Sequence, residues 1–375
     1  MHDPISSPTR PRRGAIAFFV FLVLLLAAII ILAKWPTNEY ALTPGNATPV
    51  APLVKIKGVL SENHRGKIML TDVDIQPLNA LQWVFMHFQS HVQFISSDQL
   101  VEPGVPTNEL DAQGYLEMSD SKLAAEVAAF DAVGWKTPST PTGAIINSVV
   151  APSPAQSAGM HVADEIVGVN GAKVDSRCSL ITAMHSIPAG TKVHLSVERA
   201  KISADGVITY RSASTETLTT SKPPAGIGSA GCSGVTGEGT SYLGVAIEDG
   251  NTYRLPAQVS IDTANIGGPS AGLAMTLTLI DKLSRRSISG NQPIAATGTI
   301  DVHGNVGDVG GVAEKTVAVQ RAGAKYFFVP EVEVATAKAA AGPGLKIIGV
   351  TTLAQALRDL RALGGATPKP LTTPR

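Results

Sequence analysis

The sequence has only two cysteines, no net charge and no P-loop motif, and each of these features argues against a class of protein. Two cysteines in 375 residues exclude a disulfide-dense scaffold and a four-cysteine zinc site within one chain. Thirty basic residues balance thirty acidic ones, which argues against nucleic acid as a partner. The motif G-x-x-x-x-G-K-[ST] is absent, so we expect no P-loop ATPase module and no use of ATP. No metal or cofactor is predicted.

One long apolar run lies near the N-terminus. Residues 14–33 carry no charge, and at ~1.5 Å per residue they would span roughly the 30 Å core of a bilayer. A cleaved signal peptide is the competing interpretation, but its apolar region is usually shorter and ends in a small-residue cleavage site. Arg10, Arg12 and Arg13 precede the run, so the positive-inside rule places the N-terminus in the cytoplasm and everything after Trp35 outside.

We divide the chain into seven segments from composition, periodicity and the two family resemblances described below, which set the bounds of the two folded domains. We expect a cytoplasmic N-terminus (1–13), a transmembrane helix (14–33), a stalk with an unassigned extracytoplasmic region (34–124) and a small mixed domain (125–200). A linker (201–240), a C-terminal domain (241–365) and a flexible tail (366–375) follow. Because helical and strand patterns alternate in both domains, the fold class is α/β (α+β). Cys178 and Cys232 both fall outside the membrane, where a disulfide is permitted.

The small domain carries a recognisable series of motifs. Pro154-Ala155-Gln156-Ser157-Ala158-Gly159-Met160 precedes Asp164-Glu165-Ile166-Val167-Gly168-Val169-Asn170-Gly171, whose Asn-Gly pair is a strong hairpin signal. This segment resembles a PDZ domain. The resemblance implies that an extended polypeptide binds as an added strand beside a helix.

The resemblance also suggests where the groove of this domain lies. The strand around Ile145 and the helix carrying Leu180 and Met184 would form its walls, and Gly134-Trp135 is a candidate for the carboxylate-binding loop. Each of these apolar residues could instead belong to the ordinary core.

A glycine-rich turn before a long apolar helix holds the first candidate for chemistry. Ser270 stands at the start of that helix, where it could be a simple helix cap or a nucleophile. The flanking glycines permit a sharp turn, and backbone N–H groups near Gly268 and Ser270 could bind an oxyanion. His303 is the only histidine after Ser270, so a Ser-His-Asp hydrolase of the usual chain order is disfavoured.

A serine without histidine needs another base, and a neutral lysine can serve. Lys315 lies in the first turn of a predicted helix, where the helix dipole disfavours a cation. Burial there would lower its pKa. The alternative is an exposed lysine paired with Glu314 or Glu331.

Three stretches in the C-terminal domain occur in a characteristic order: IGGPSAGLAMTLTLIDKL, then ATGTIDVHGNVGDVGGVAEKTVAVQRAGA, then FFVP. They resemble the proteolytic domain of Lon-type proteases, in particular the membrane-anchored, PDZ-containing relatives without an ATPase module. The resemblance implies a Ser-Lys dyad of Ser270 and Lys315, and rings as a common form of homo-oligomer. Gly267 and Thr299 depart from the acidic residues that ATP-dependent Lon has at these positions.

Together these features predict an ATP-independent serine endopeptidase of the cell membrane. Its catalytic domain would cleave extracytoplasmic polypeptides, and its PDZ domain would recruit or gate them. The rival interpretation is a non-catalytic PDZ adaptor on a protease-like fold.

Overall fold

The computed structural model describes residues 13–100, 107–203, 207–224, 232–233, 240–263 and 266–372. By contacts within the chain it divides into two compact units. The first comprises 1–43 with 74–100, and the second comprises 44–73 with 101–375. Helices and strands are mixed throughout, as the predicted fold class requires.

The elements follow one another in this order. Before residue 133 they are α1 (Arg13–Lys34), β1 (Pro36–Pro49), β2 (Val54–Lys57), β3 (Lys67–Asn79), α2 (Ala80–Met86), β4 (Gln93–Ser96), α3 (Ser97–Leu100) and α4 (Thr107–Ala132). The middle of the chain contains β5 (Ser139–Val149), α5 (Pro154–Ser157), β6 (Glu165–Val169), β7 (Ala172–Lys173), α6 (Arg177–His185), β8 (Lys192–Glu198), β9 (Ala200–Ile202), β10 (Ile208–Tyr210), β11 (Ser214–Thr219) and β12 (Val245–Tyr253). The remainder contains β13 (Gln258–Ile261), α7 (Gly272–Leu283), β14 (Pro293–Ala296), β15 (Thr299–Ile300), β16 (Val306–Gly307), α8 (Val312–Arg321), β17 (Tyr326–Pro330), α9 (Val334–Ala340), β18 (Lys346–Val350) and α10 (Leu353–Ala362).

The first unit begins with the apolar helix α1, whose Ile16–Lys34 portion is long and apolar enough to cross a membrane. Strand β1 follows almost immediately. In this unit it pairs antiparallel with β4, with Glu39 opposite Ser96 and Leu42 opposite Gln93. The stalk expected in 34–124 therefore begins with a strand, Pro36–Pro49, of which Glu39–Leu42 pair with β4.

The second unit contains a parallel group of strands that supports the C-terminal domain. Strand β14 lies between β3 and β17, with β18 beyond β17, and all these pairs are parallel. Strands β14 and β17 are short and largely buried, as expected of a sheet covered on both faces. Every residue of α7 is buried, and α4 packs against it. The region left unassigned in the sequence thus supplies β2, β3 and α4 to this domain.

A second sheet, in the order β11-β8-β6-β5-β12, builds the middle of the chain. Its core combines inward-facing residues of these strands with Leu180 and Met184 of α6. Asn170 and Gly171 both have positive φ angles (49° and 84°) and join β6 to β7 in the predicted hairpin. Strands β11 and β12 lie beyond the expected 125–200 segment. Strand β11 was hidden in a Ser/Thr-rich stretch because only Leu218 of its side chains is buried.

The C-terminal tail is held against the domain over its described residues. The backbone N–H of Leu371 donates to the carbonyl of Leu283 at 2.9 Å, and that of Arg285 donates to Lys369 at 3.0 Å. Residues 366–371, expected to be flexible, therefore lie along the end of α7, while 373–375 fall outside the described residues.

A disulfide joins Cys178, in the first turn of α6, to Cys232, with Cα atoms 5.4 Å apart. The sequence permitted this pairing without showing that the two residues meet. The bridge closes a loop that contains the whole segment from α6 to β11.

Replacing Cys178 and Cys232 together by alanine is expected to destabilise the second sheet. The two residues are 54 positions apart, so loss of the crosslink frees a long loop in the unfolded chain, an effect of about 2–4 kcal/mol. Thermal unfolding followed by circular dichroism measures it. Wild-type protein treated with reductant is the matched control and should unfold like the double variant. An unchanged melting temperature in both would contradict the prediction.

Candidate active site

Ser270 sits in a tight turn immediately before α7. Pro269–Ala271 form a single 3-10 turn, and Gly268 before it has φ +82°, a conformation that favours glycine. The N-cap of α7 is Ala271, and no side chain caps this helix. The Ser270 hydroxyl therefore does not have the capping role that the sequence left open, and its side chain is only half-buried.

Helix α4 makes two hydrogen bonds to this turn. The Ser121 hydroxyl donates to the Pro269 carbonyl at 3.0 Å, and the Gly268 N–H donates to the Gly114 carbonyl at 3.2 Å. The second contact engages one of the two N–H groups considered for an oxyanion site, so in this arrangement Ser270 is the remaining candidate donor. Nothing in the sequence linked Gly114 or Ser121 to the serine turn, because about 150 residues separate them.

Gly272 allows close packing behind the turn. A Cβ atom there would lie 2.9 Å from the Ile300 side chain and 3.0 Å from the Ser121 hydroxyl. The start of α7 is thus confined between β15 and α4, and these neighbours fix the position of the Ser270 backbone.

Lys315 approaches from α8. The left-handed Gly311 caps this helix, and the Lys315 N–H donates to the Gly311 carbonyl at 2.9 Å. Only 3% of Lys315 is exposed, which rules out the exposed ion pair considered as its alternative role. Its Nζ atom lies 3.5 Å from the Thr297 hydroxyl.

Burial lowers the pKa of Lys315 from its ordinary value to about 8, because the charged ammonium loses its hydration. The negative charges of Asp72 and Glu333 act in the opposite direction and keep the pKa from falling further. Near neutral pH a useful fraction of this amine is therefore unprotonated, as a general base requires.

Thr297 connects the two sides of the site and was missed in the sequence as a functional residue. Its hydroxyl donates to the Ser270 carbonyl at 3.2 Å and lies within reach of the Lys315 amine. The neighbouring Gly298 N–H donates to the same carbonyl at 2.9 Å. The strand end between β14 and β15 thus fixes the serine backbone and orients the lysine.

A cavity of about 780 Å³ opens beside the serine turn. Pro269 and Ile300 line one wall, and the outer face of the second sheet lines the other, including Ile145 and Glu248. Carboxylates are frequent in its described lining, where neither lysine nor arginine occurs. Burial and the nearby Glu248 carboxylate raise the pKa of Asp120 to about 8, so one proton is retained between these two groups near neutral pH.

Only part of the predicted peptide groove comes together: α6, which carries Leu180 and Met184, packs against β5, whereas Trp135 belongs to another core. Trp135 is buried in the core around α7 and stacks on Phe130 with ring centroids 5.6 Å apart, and Gly134 ends α4. Leu180 and Met184 lie in the core of the second sheet. Strand β5, which carries Ile145, is paired on both sides, by β6 and by β12, and so has no free edge.

The edge strand beside α6 is β12. Among the described strands it pairs only with β5, and its half-buried Val245 and Ile247 pack towards the same core as Ala183 of α6. The segment before it is fixed to the helix end, where the Ser241 hydroxyl donates to the Met184 carbonyl at 2.9 Å. This edge was not predicted from the sequence, because Val245–Tyr253 lies within the segment 241–365 assigned to the C-terminal domain.

Comparison with known protein families gives two separate matches, one in the middle and one in the C-terminal part of the chain. Residues 260–359 match the family model of the Lon protease (S16) C-terminal proteolytic domain, and 114–207 match that of the PDZ domain. The chain joins a PDZ domain to a Lon-type proteolytic domain. The Lon-type match includes Ser270, Thr297 and Lys315.

Curated relatives support the C-terminal match. The chain is 47% identical to the Lon protease of Clostridioides difficile over 64 residues, which are 17% of this chain and 8% of that protein. It is 39% identical to the Lon protease of Flavobacterium johnsoniae over 87 residues, 23% of this chain and 10% of the relative. The chain therefore spans only a small part of these relatives. The solved PDZ domain of the SdrC-like protein from Listeria monocytogenes is 18% identical with a TM-score of 0.22, covering 29% of this chain and 90% of that one.

If Lys315 is the general base, replacing Asp72 by asparagine should shift the rising, low-pH limb of the pH–activity profile. Because Asp72 favours the ammonium, its neutralisation should lower the lysine pKa by up to about one unit. In wild type, kcat/KM for a peptide should rise with pH through about 8 as the amine loses its proton. In Asp72→Asn the same rise should occur at lower pH.

The exposed Asp98 offers a matched control, since Asp98→Asn removes the same charge elsewhere in the chain. Its pH profile should equal that of wild type. A profile in Asp72→Asn that stays in place, or moves to higher pH, would contradict the assignment.

Proposed function

We propose that this chain is an ATP-independent serine endopeptidase, anchored in the cell membrane by α1 and acting on polypeptides outside the cytoplasm. Ser270 is the nucleophile and Lys315 the general base. The observation that carries the proposal is the burial of Lys315 with a lowered pKa, in hydrogen-bonding reach of the threonine that holds the Ser270 backbone.

The mechanism follows from these positions. Neutral Lys315 accepts the hydroxyl proton of Ser270 as its oxygen attacks a peptide carbonyl, and the resulting ammonium then protonates the leaving amine. Water next attacks the acyl-enzyme while the amine accepts its proton, and that proton passes to the Ser270 oxygen as the ester bond breaks and the acid product leaves. The N–H of Ser270 would stabilise the oxyanion, and the hydrogen bonds of Ser121 and Thr297 to the same turn support this role.

The PDZ domain recruits or gates the substrate. A polypeptide would add to the edge of β12 that pairs with no other described strand, beside α6, and its backbone would pair with β12. The cavity between the second sheet and the serine turn supports this role, because residues of β12 line it together with Pro269.

The membrane anchor is proposed from α1. Its apolar side chains are exposed throughout the described part of the helix, which suits a lipid environment better than water. By the positive-inside rule, the arginines before it favour an extracytoplasmic position for the C-terminal domain.

Exchanging Lys315 for arginine tests the dyad most directly. A guanidinium keeps the charge but stays protonated, so it cannot act as the base. We expect Lys315→Arg to be nearly as inactive as Ser270→Ala, and the double variant to be little worse than either, because the two residues act as a unit. Peptidase turnover and labelling by a serine-reactive phosphonate are the measurements.

Lys325→Arg is the matched control, since Lys325 is an exposed lysine beyond the other end of α8. It should retain normal turnover. A folded Lys315→Arg protein with near-normal activity would overturn the lysine mechanism. Wild-type protein that neither labels nor cleaves would favour the non-catalytic adaptor instead.

A charge placed at Ile247 should impair the groove of the PDZ domain. In a Ser270→Ala background, which prevents cleavage, Ile247→Glu is expected to weaken binding of an extended peptide with a free C-terminal carboxylate by about tenfold. The cause is an unpaired charge between β12 and α6. Fluorescence anisotropy measures the affinity. Val207→Glu, at an exposed position, is the control, and equal binding by both variants would place the groove elsewhere.

A further inference from the structure

A short helix in the first unit exposes apolar side chains close to the end of α1. Helix α2 has the sequence ALQWVFM, with glutamine as its single polar residue, and none of its residues is buried. Phe85 is 63% exposed, and Phe88 just beyond the helix is 85% exposed. In water, an apolar helix without a buried side is unfavourable, and such a surface usually marks an interaction site.

Exposed apolar residues are concentrated in this unit. Outside α1, ten described large apolar side chains are exposed, and six of them belong to the first unit: Trp35, Ile75, Trp83, Val84, Phe85 and Phe88. We name Trp35, Val84, Phe85 and Phe88 the juxtamembrane patch. The other four exposed side chains are spread over the much longer second unit.

The position of α2 relative to α1 is fixed by a backbone hydrogen bond. The N–H of Ala80, the first residue of α2, donates to the carbonyl of Trp35 at 2.9 Å. Trp35 directly follows Lys34, the last residue of α1. A helix of seven residues is only about 10 Å long, so every residue of α2 lies within roughly that distance of the point where α1 ends.

Helix α2 is attached to the rest of the first unit through Trp83 and through His87, the residue that follows it. The Trp83 indole N–H donates to the Glu39 carboxylate at 2.9 Å, and its ring packs against His87 with centroids 4.0 Å apart. His87 in turn stacks on Phe94 of β4 at 4.3 Å. Trp83 and His87 thus attach the helix to β1 and β4, while Val84, Phe85 and Phe88 remain exposed.

We propose that α2 is an interfacial helix, which inserts the juxtamembrane patch into the headgroup region of the membrane that α1 spans. This inference rests on the proposed anchoring by α1. If α1 crosses the bilayer, α2 starts at its surface, within the few ångströms that the interfacial layer occupies. Aromatic side chains are favoured in that layer. The helix would fix the first unit against the bilayer, in addition to the anchor.

Tryptophan fluorescence in vesicles tests the proposal on the full chain. The protein has three tryptophans, and Trp35→Phe leaves Trp83 as the reporter beside the patch and the buried Trp135 as an internal reference. This variant is reconstituted into phosphatidylcholine vesicles with and without bromine on the upper acyl carbons. We expect bromine to quench part of the emission, and Trp35→Phe/Trp83→Phe to lose that quenched part.

A second variant tests the patch itself. Phe85→Ser with Phe88→Ser, in the Trp35→Phe background, should reduce the quenched fraction about twofold, because the helix loses its apolar anchors. Leu60→Ser, at another exposed apolar residue, is the matched control and should leave quenching unchanged. Far-ultraviolet circular dichroism checks that each variant is folded.

The outcomes separate this inference from the anchor. Release of the chain from vesicles by alkaline carbonate would contradict anchoring by α1, and the interfacial helix with it. Retention in carbonate with unquenched Trp83 would overturn the interfacial helix alone. Unquenched emission that depends on the protein-to-lipid ratio would instead assign the patch to a contact between two copies of the chain.

Discussion

The burial of one lysine amine is the constraint on which the site depends. Lys315 is removed from water at the N-terminal end of a helix, and both factors disfavour its charged form. Asp72 and Glu333 offset part of this effect, and the balance leaves a pKa of about 8. A more exposed lysine would remain protonated near neutral pH, and one buried without nearby carboxylates would be a weaker base. The surrounding fold sets the reactivity of this group.

The domain that buries Lys315 is assembled from both sides of the PDZ domain in the sequence. Strand β3 and helix α4 precede the second sheet, whereas α7, α8 and the remaining strands follow it. The second sheet is thus an insertion, and its two ends meet because Ser139 of β5 pairs with Tyr253 of β12. Chain ends that lie side by side are what allow one domain to be inserted into another. The insertion also explains why Ser121 and Pro269, far apart in sequence, share a hydrogen bond.

Features with a local signal could be predicted from the sequence. The apolar run of α1, the Asn170-Gly171 hairpin and the helix start before Lys315 each depend on neighbouring residues, and all three occur in the structure. What could not be predicted depends on distant segments. Pairing with β4 makes the start of the expected stalk a strand, and the unassigned region contributes the long α4, which includes Ser121. The role of Thr297 could not be predicted, because its hydroxyl reaches Ser270 and Lys315 only after the end of β14 has packed beside α7 and α8.

The direction of β12 connects recruitment to cleavage in the proposed function. This strand begins beside the end of α6, and most of its later residues line the cavity that also touches Pro269: Glu248, Asp249, Asn251, Thr252 and Tyr253. A polypeptide added antiparallel to β12 would have its C-terminus near Val245 and its upstream part near Tyr253. Nine residues of strand extend about 30 Å. The C-terminus of a bound substrate would therefore lie far from the peptide bond that is cleaved. Residues upstream of that C-terminus would be directed towards the cavity beside Ser270.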